Sequence, residues 1–261
     1  MKKLAHMNHI RLYLWPHRML LLGPGFDTGL HSHHAAQVCF GLEGALRLRT
    51  GTDQPWDRHG AFYVPPDRPH EFAAAQTATA IIYVEAESAE CAALERSAPR
   101  TPRAVRFPLQ ESLLVQLQAL HQRNATIEHA NATCLALLGV DQAPRPGFDR
   151  RIAKCLDIIR AQLDQKLRLA AVAHAIGVSE SWLAHRFTAE VGVPMRRYIL
   201  WQRLWRAVEL ALNGATLTQA AHAAGLSDSA HLSRAFRKTF GVTPSFLFES
   251  RDSLIVSFAE T

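Results

Sequence analysis

At 261 residues, with 29 Lys/Arg against 23 Asp/Glu and 48% hydrophobic residues, the chain has room for two compact domains and an ordinary globular composition, which excludes collagen-like and disordered classes. The formal charge of +6 is unevenly placed: residues 1–149 hold 14 basic and 14 acidic side chains, whereas residues 150–261 hold 15 and 9. A neutral half joined to a basic half implies that one end meets a polyanion.

In chain order, Lys2 and Lys3 precede an apolar stretch that imitates a signal peptide, but Pro16, His17 and Arg18 break it and no small-residue cleavage site follows. No segment approaches the ~20 apolar residues that span a bilayer, and the expected location is the cytoplasm. From residue 10 to about 87, β-prone runs (Leu12–Leu14, Val38–Phe40, Ala45–Arg49, Ala61–Val64 and Ala80–Val84) alternate with Gly, Pro and Asp clusters, the pattern of an all-β sandwich or barrel. Residues 88–108, with Pro99, Pro102 and Pro108, read as a connector. Helical spacing of Leu113, Leu114, Leu117, Leu120, Ile127, Leu135 and Leu138 predicts helices from Glu111 to about Gly139. Asp141–Asp149, with two prolines and a glycine, reads as a linker, and everything from Arg151 onward reads as helices. Cys39, Cys91, Cys134 and Cys155 are widely spaced with no CxxC pair, which fits reduced, buried thiols.

The expected fold is therefore α+β in two domains, an antiparallel N-terminal β-barrel followed by helices and an all-α C-terminal domain. The expected boundaries are 1–90 for the β-domain, 91–140 for connector and helices, 141–150 for the linker, 151–250 for the C-terminal domain and 251–261 for a tail.

The C-terminal part contains an internal repeat. Leu169-Ala-Ala-Val-Ala-His-Ala-Ile-Gly-Val-Ser-Glu-Ser aligns with Leu217-Thr-Gln-Ala-Ala-His-Ala-Ala-Gly-Leu-Ser-Asp-Ser, about 48 residues on. Each copy then reaches a Phe (Phe187, Phe236) and closes on Gly-Val (Gly192-Val193, Gly241-Val242). The Ala-rich helix lets a second helix cross closely, Gly177 and Gly225 supply the left-handed residue that ends it, and Ser179 and Ser227 stand where a side-chain oxygen caps the next helix. Leu183/Phe187 and Leu232/Phe236 are i, i+4 pairs that seat that second helix. Helix, glycine-containing turn and capped helix together predict a helix-turn-helix, twice. Between them, Arg196 to Asn213 lacks Pro and Gly; as one helix it is roughly 27 Å long, suited to holding two reading helices near the ~34 Å spacing of successive major-groove faces.

From about Arg151 to Phe248 the residues resemble the AraC/XylS family of bacterial transcription activators. The most specific stretch is Ala-x-x-x-Gly-Leu-Ser-Asp-Ser-x-x-Leu-Ser-Arg-x-Phe-Arg-Lys-x-Phe-Gly-Val-Thr-Pro, Ala221 to Pro244. The family often has Arg two residues after the core Leu; the second copy keeps it as Arg234, while the first has His185 followed by Arg186. Candidate DNA contacts face away from the core pairs: Ser229, Ala230, Ser233 and Arg234, with Arg237 and Lys238 near the backbone, and on the first unit Glu180, Ser181, Trp182, His185 and Arg186. Trp182 either packs on sugar-phosphate or fills the domain surface. The resemblance implies an effector-responsive activator acting on double-stranded DNA and RNA polymerase, with residues 111–139 as a homodimer-forming segment.

The β-domain carries Gly25-x5-His31-x-His33-x3-Gln37-x6-Gly44, which resembles the first cupin motif with Gln37 in place of Glu. Gly60-x4-Pro65-x4-His70 resembles the second, with Asp67 in place of Gly and Ala74 in place of Asn. Strand alternation puts His31 and His33 on one side, with His70 approaching from a neighbouring strand. Three imidazoles and an amide oxygen suit Zn²⁺, Ni²⁺, Cu²⁺ or Fe²⁺; alternatively the same histidines hydrogen-bond in a pocket for an organic effector. His34 is expected to face outward, and His121, His129, His174 and His222 to be surface or packing residues. Two further functions compete: a metal-dependent cupin oxygenase or isomerase with a helical appendage, and a scaffold that ignores DNA. No Ser/His/Asp, P-loop or dinucleotide fingerprint is evident, and no catalytic residues are assigned.

Overall fold

The computed structural model describes residues 9–97, 105–108, 110–123, 125–140, 147–245 and 254–259. The expected linker residues 141–146 and the connector prolines Pro99 and Pro102 lie outside these residues. Two compact units result: Met1–Arg145 with Phe240–Thr261, and Pro146–Thr239. The second unit thus ends at Thr239, eleven residues before the expected end at residue 250.

In the first unit, β1 (Ile10–Trp15) and β2 (Arg18–Pro24) form a hairpin around Pro16 and His17, with Trp15 opposite Arg18. The break in the early apolar run is therefore a turn. There follow β3 (Ala35–Gly41), β4 (Leu46–Arg49), β5 (Asp57–His59), β6 (Ala61–Val64), β7 (Glu71–Ala73), β8 (Ala78–Glu85), α1 (Ala89–Ser97), β9 (Val105–Arg106), α2 (Glu111–Gln122), α3 (Ile127–Leu138) and, from the far end of the chain, β10 (Leu254–Phe258).

The strands do not close into the expected barrel. They make a seven-stranded sheet in the order β10-β1-β2-β8-β3-β6-β9 and a three-stranded sheet β5-β4-β7. Nor is the large sheet wholly antiparallel, because β10 runs parallel to β1, with Leu12 opposite Val256. The supposed tail is thus an edge strand, and the supposed connector contains α1 and β9.

Alternation along the central strands decides which residues serve the core and which serve the site. Ala36, Val38 and Phe40 of β3 and Ala80, Ile82 and Val84 of β8 join Leu117 and Leu120 of α2 and Ala130, Cys134 and Leu137 of α3 in one core. The intervening residues of β3, Gln37 and Cys39, are buried outside that cluster. All four cysteines are free and buried.

The second unit holds α4 (Arg150–Ala161), α5 (Leu169–Ala175), α6 (Glu180–Val191), α7 (Met195–Leu212), α8 (Leu217–Ala223) and α9 (Ser229–Phe240), whose last residue clusters with the first unit. Ile152, Cys155, Leu156 and Ile159 of α4 pack with Val172, Leu183, Phe187 and Tyr198 in its core. The unbroken α7 lies within one residue of the expected rod at each end. Among the described residues, no helix is long and apolar enough to cross a membrane.

Candidate nucleic-acid interface and histidine cluster

The two sequence copies fold alike. After α5, Gly177 N–H donates to the His174 carbonyl (3.1 Å) and Val178 N–H to that of Ala173 (3.0 Å); after α8, Gly225 N–H donates to His222 (3.0 Å) and Leu226 N–H to Ala221 (2.9 Å). This is the Schellman closure, and it requires the left-handed residue that glycine supplies, here at φ 72° and 77°. Ser179 caps α6 as expected, accepting from Trp182 N–H. For α9 the cap is one residue later than expected: Asp228 accepts from His231 N–H at 2.6 Å, and Ser227 donates its hydroxyl to the same carboxylate. Those bonds hold the Asp228 carboxyl below its usual range, the backbone bond from His231 being the largest cause.

Leu183, Phe187, Leu232 and Phe236 are buried, so the opposite faces of α6 and α9 are turned outward. Glu180, Ser181, His185 and Arg186 are exposed on α6, as are Ala230, Arg234, Arg237 and Lys238 on α9. Ser229 and Ser233 are half-buried, and the Ser233 hydroxyl turns back onto the Ser229 carbonyl. Trp182 is half-buried against the core, with the Arg151 guanidinium 3.9 Å above its ring. Arg186 pairs with Glu190 one turn on.

In the β-unit, His31, His33, Gln37 and His70 come together. His31 and His33 lie between β2 and β3 rather than within a strand, and His31 and His70 exchange backbone hydrogen bonds of 2.9 Å each. The three imidazoles are buried, with ligand atoms within 4.8 Å of one another. Each ring has its Nδ1 against a backbone carbonyl: Gly29 for His31 (2.7 Å), Ala35 for His33 (2.8 Å) and Arg68 for His70 (2.8 Å). A carbonyl oxygen only accepts, so these contacts fix the proton on Nδ1 and leave an Nε2 lone pair on each ring, as in histidines that ligate metals.

Gln37 Oε1 lies 2.7 Å from His33 Nε2 and 3.0 Å from His70 Nε2, so its lone pairs converge with theirs, and among the described residues His31 Nε2 has no hydrogen-bond partner. Burial lowers the pKa of all three rings, that of His31 to about 3, aided by neighbouring imidazoles for His31 and His70. Neutral imidazoles with converging lone pairs and an orphaned buried nitrogen are a donor set that fits a divalent transition metal.

Three neighbours of this cluster escaped the sequence reading. Tyr83 of β8 stands edge-on to His33 (5.2 Å between centroids), and Cys39 Sγ accepts from the Gln37 amide. Phe240, which clusters with this unit, lies 6.4 Å from His33 and 6.0 Å from Tyr83, beside a hydrogen bond from Gly29 N–H to the Gly241 carbonyl. Only β-strand phase could have indicated Tyr83; Phe240 sits more than 200 residues from His33 with no local signal.

His34 is a correction. It is buried, not outward-facing, and lies between Glu87 (3.1 Å) and Asp67 (3.7 Å). Burial opposes its charge, but the hydrogen bonds and charges of Asp67 and Glu87 outweigh burial and raise its pKa to about 9. Asp67, standing where the cupin motif has Gly, has φ 59°, the left-handed region that explains the glycine preference at that position. His121 is buried, whereas His129, His174 and His222 are exposed.

Residues 172–250 match a helix-turn-helix domain family. The chain is 33% identical over 104 residues to an uncharacterized HTH-type transcriptional regulator, YidL, of Escherichia coli K12, covering 40% of this chain and 35% of that protein. It is 32% identical over 89 residues to the Msm operon regulatory protein of Streptococcus mutans, covering 34% and 32%. The match therefore spans about a third of the length of these curated relatives. Across most of the chain the fold is similar to that of ToxT from Vibrio cholerae O395, with TM-score 0.59, 12% identity, and 89% and 96% of the two chains covered. Residues 172–250 thus carry a segment similar to a helix-turn-helix domain family, and the fold of the chain, sheet-rich in its N-terminal part and helical in its C-terminal part, is similar to that of ToxT.

Proposed function

We propose that the protein is an effector-responsive transcription regulator acting in the cytoplasm, in which α5–α6 and α8–α9 are two helix-turn-helix units that read successive major-groove faces of one duplex. The observation that carries this reading is the repetition of one closure, cap and seating pattern at both ends of the single rod α7. One such pair occurs in many all-α folds; two, in the basic half of the chain, are what a duplex with a repeating groove demands. The test is selection of duplexes from a random library by the full-length chain at moderate salt, with and without chelator. A sequence enriched over competitor is expected, and recovery of no preferred sequence would sink the proposal.

The effector of this reading is a divalent transition metal (Zn²⁺, Ni²⁺, Cu²⁺ or Fe²⁺) held by His31, His33 and His70 with Gln37. The metal would supply a charge that pulls four buried donors together, and it shifts regulation only if one arrangement of the protein binds it better. ToxT has been solved with an unsaturated fatty acid, but the polar donor set here favours a cation over an apolar ligand. Titration of the chelator-stripped chain with each metal is expected to show saturable binding that His31→Ala and His70→Ala abolish. Gln37→Glu, which replaces the amide with a carboxylate, should tighten binding. Unchanged binding in His31→Ala would remove the metal from the account. The chain is further proposed to work as a homodimer through α2 and α3, where Val115 is 56% exposed, and with RNA polymerase as its partner. A monomer in sedimentation at micromolar concentration counts against the dimer.

A further inference from the structure

Within the helical unit lies a cleft of about 790 Å³. Its walls combine Ala184 of α6, His231 of α9, Arg196, Arg197 and Arg203 of α7, and Lys166 from the loop after α4. Both candidate reading helices and the rod between them therefore open onto one concavity. Four cations line it against one carboxylate, Asp164. Arg203 donates from Nε to the Leu163 carbonyl (2.9 Å) and from its terminal nitrogen to that of Gln165 (2.6 Å), so its charge meets neutral acceptors. Arg196 and Lys166 are exposed, and neither makes an ion pair among the described residues.

We propose that this cleft seats the DNA phosphodiester backbone between the two half-sites, with Arg196 and Lys166 neutralising its phosphates. The inference rests on the DNA-reading function proposed above. If α6 and α9 enter successive major-groove faces, the intervening strand must cross the rod that joins them, on the side shared by both helices. Ala184 and His231 mark that side, and the cations there have the sign the strand requires. Such contacts fix position and affinity without reading bases.

The test uses full-length wild type and the Lys166→Ala/Arg196→Ala double variant on the duplex that wild type selects. Dissociation constants are measured between about 50 and about 200 mM salt, where each neutralised phosphate contributes about 0.9 to the slope of log affinity against log salt. The double variant should lose about two units of slope, with its ranking of single-mismatch duplexes unchanged. Neutral methylphosphonates at the central phosphates should weaken wild type and leave the double variant no weaker. Equal slopes, or an equal methylphosphonate effect on both proteins, overturns the assignment. So does competition by decanoate that weakens wild type but spares the variant, since the cleft would then be a site for an organic anion. If wild type selects no duplex, the function proposed above fails; if it selects one and the slopes are equal, only the cleft assignment does.

Discussion

The two helix pairs share a backbone plan but differ in where their charges go. In the first, Arg186 is tied to Glu190, Trp182 lies under the guanidinium of Arg151 from α4, itself held by Asp149, and the position two residues after the core Leu is His185. In the second, Arg234, Arg237 and Lys238 are exposed on α9, and none of them makes an ion pair among the described residues. The same fold thus supports one unit whose surface is internally compensated and another whose charge is available to an anion. Gene duplication or not, the lesson is physical: backbone closure and cap define the unit, while a few side chains decide how strongly it holds a polyanion.

The largest expected difference between the pairs is in stability. A Cβ at Gly225 would strike the Leu163 carbonyl oxygen and press on the anchored Arg203 guanidinium, at φ 77°, whereas a Cβ at Gly177 would enter open space at φ 72°. Gly177→Ala should therefore lose only the left-handed penalty of about 1–2 kcal/mol, and Gly225→Ala about 3–5 kcal/mol. Urea melts followed by helical circular dichroism would measure both, and equal losses would erase the distinction. The next effect is on base reading. Arg234→Ala should lose ~1–3 kcal/mol at one base position of the selected duplex, and His185→Ala less. Uniform weakening across sequences by Arg234→Ala would reassign that side chain to phosphate.

The helical unit was legible because its signals are local: Gly at a left-handed position, an oxygen at the cap and i, i+4 apolar pairs all lie within a dozen residues. Even so, the second cap moved from Ser227 to Asp228, since adjacent short polar side chains compete for the same N–H. In the β-unit, β2 (Arg18–Pro24) was overlooked because six of its seven residues are buried, and a strand covered on both faces shows no alternation. β10 gave no sign of its partner because parallel pairing with β1 joins residues about 240 positions apart. The histidine cluster was found through motif spacing, yet His34 was misplaced. It is buried beside Glu87, which only the fold brings near.

The smallest effect is also the sharpest on the comparison, because it separates two arginines on equivalent helices. Arg186→Ala removes an i, i+4 pair between an exposed guanidinium and the partly buried Glu190, which keeps its hydrogen bond from Asp149 N–H, so folding stability should fall by no more than about 1 kcal/mol. Because that guanidinium is already compensated, the salt slope of DNA binding should stay near the wild-type value. Among the described residues Arg237 makes no such pair, so Arg237→Ala should lower the slope by about one unit while leaving sequence preference intact. Glu190→Gln supplies the reciprocal arm: by releasing Arg186 it should raise the slope toward that of a unit with an uncompensated arginine. If Arg186→Ala and Arg237→Ala lower the slope equally, the Glu190 pair dissolves when DNA arrives, and the asymmetry between the two units belongs to the unbound protein alone.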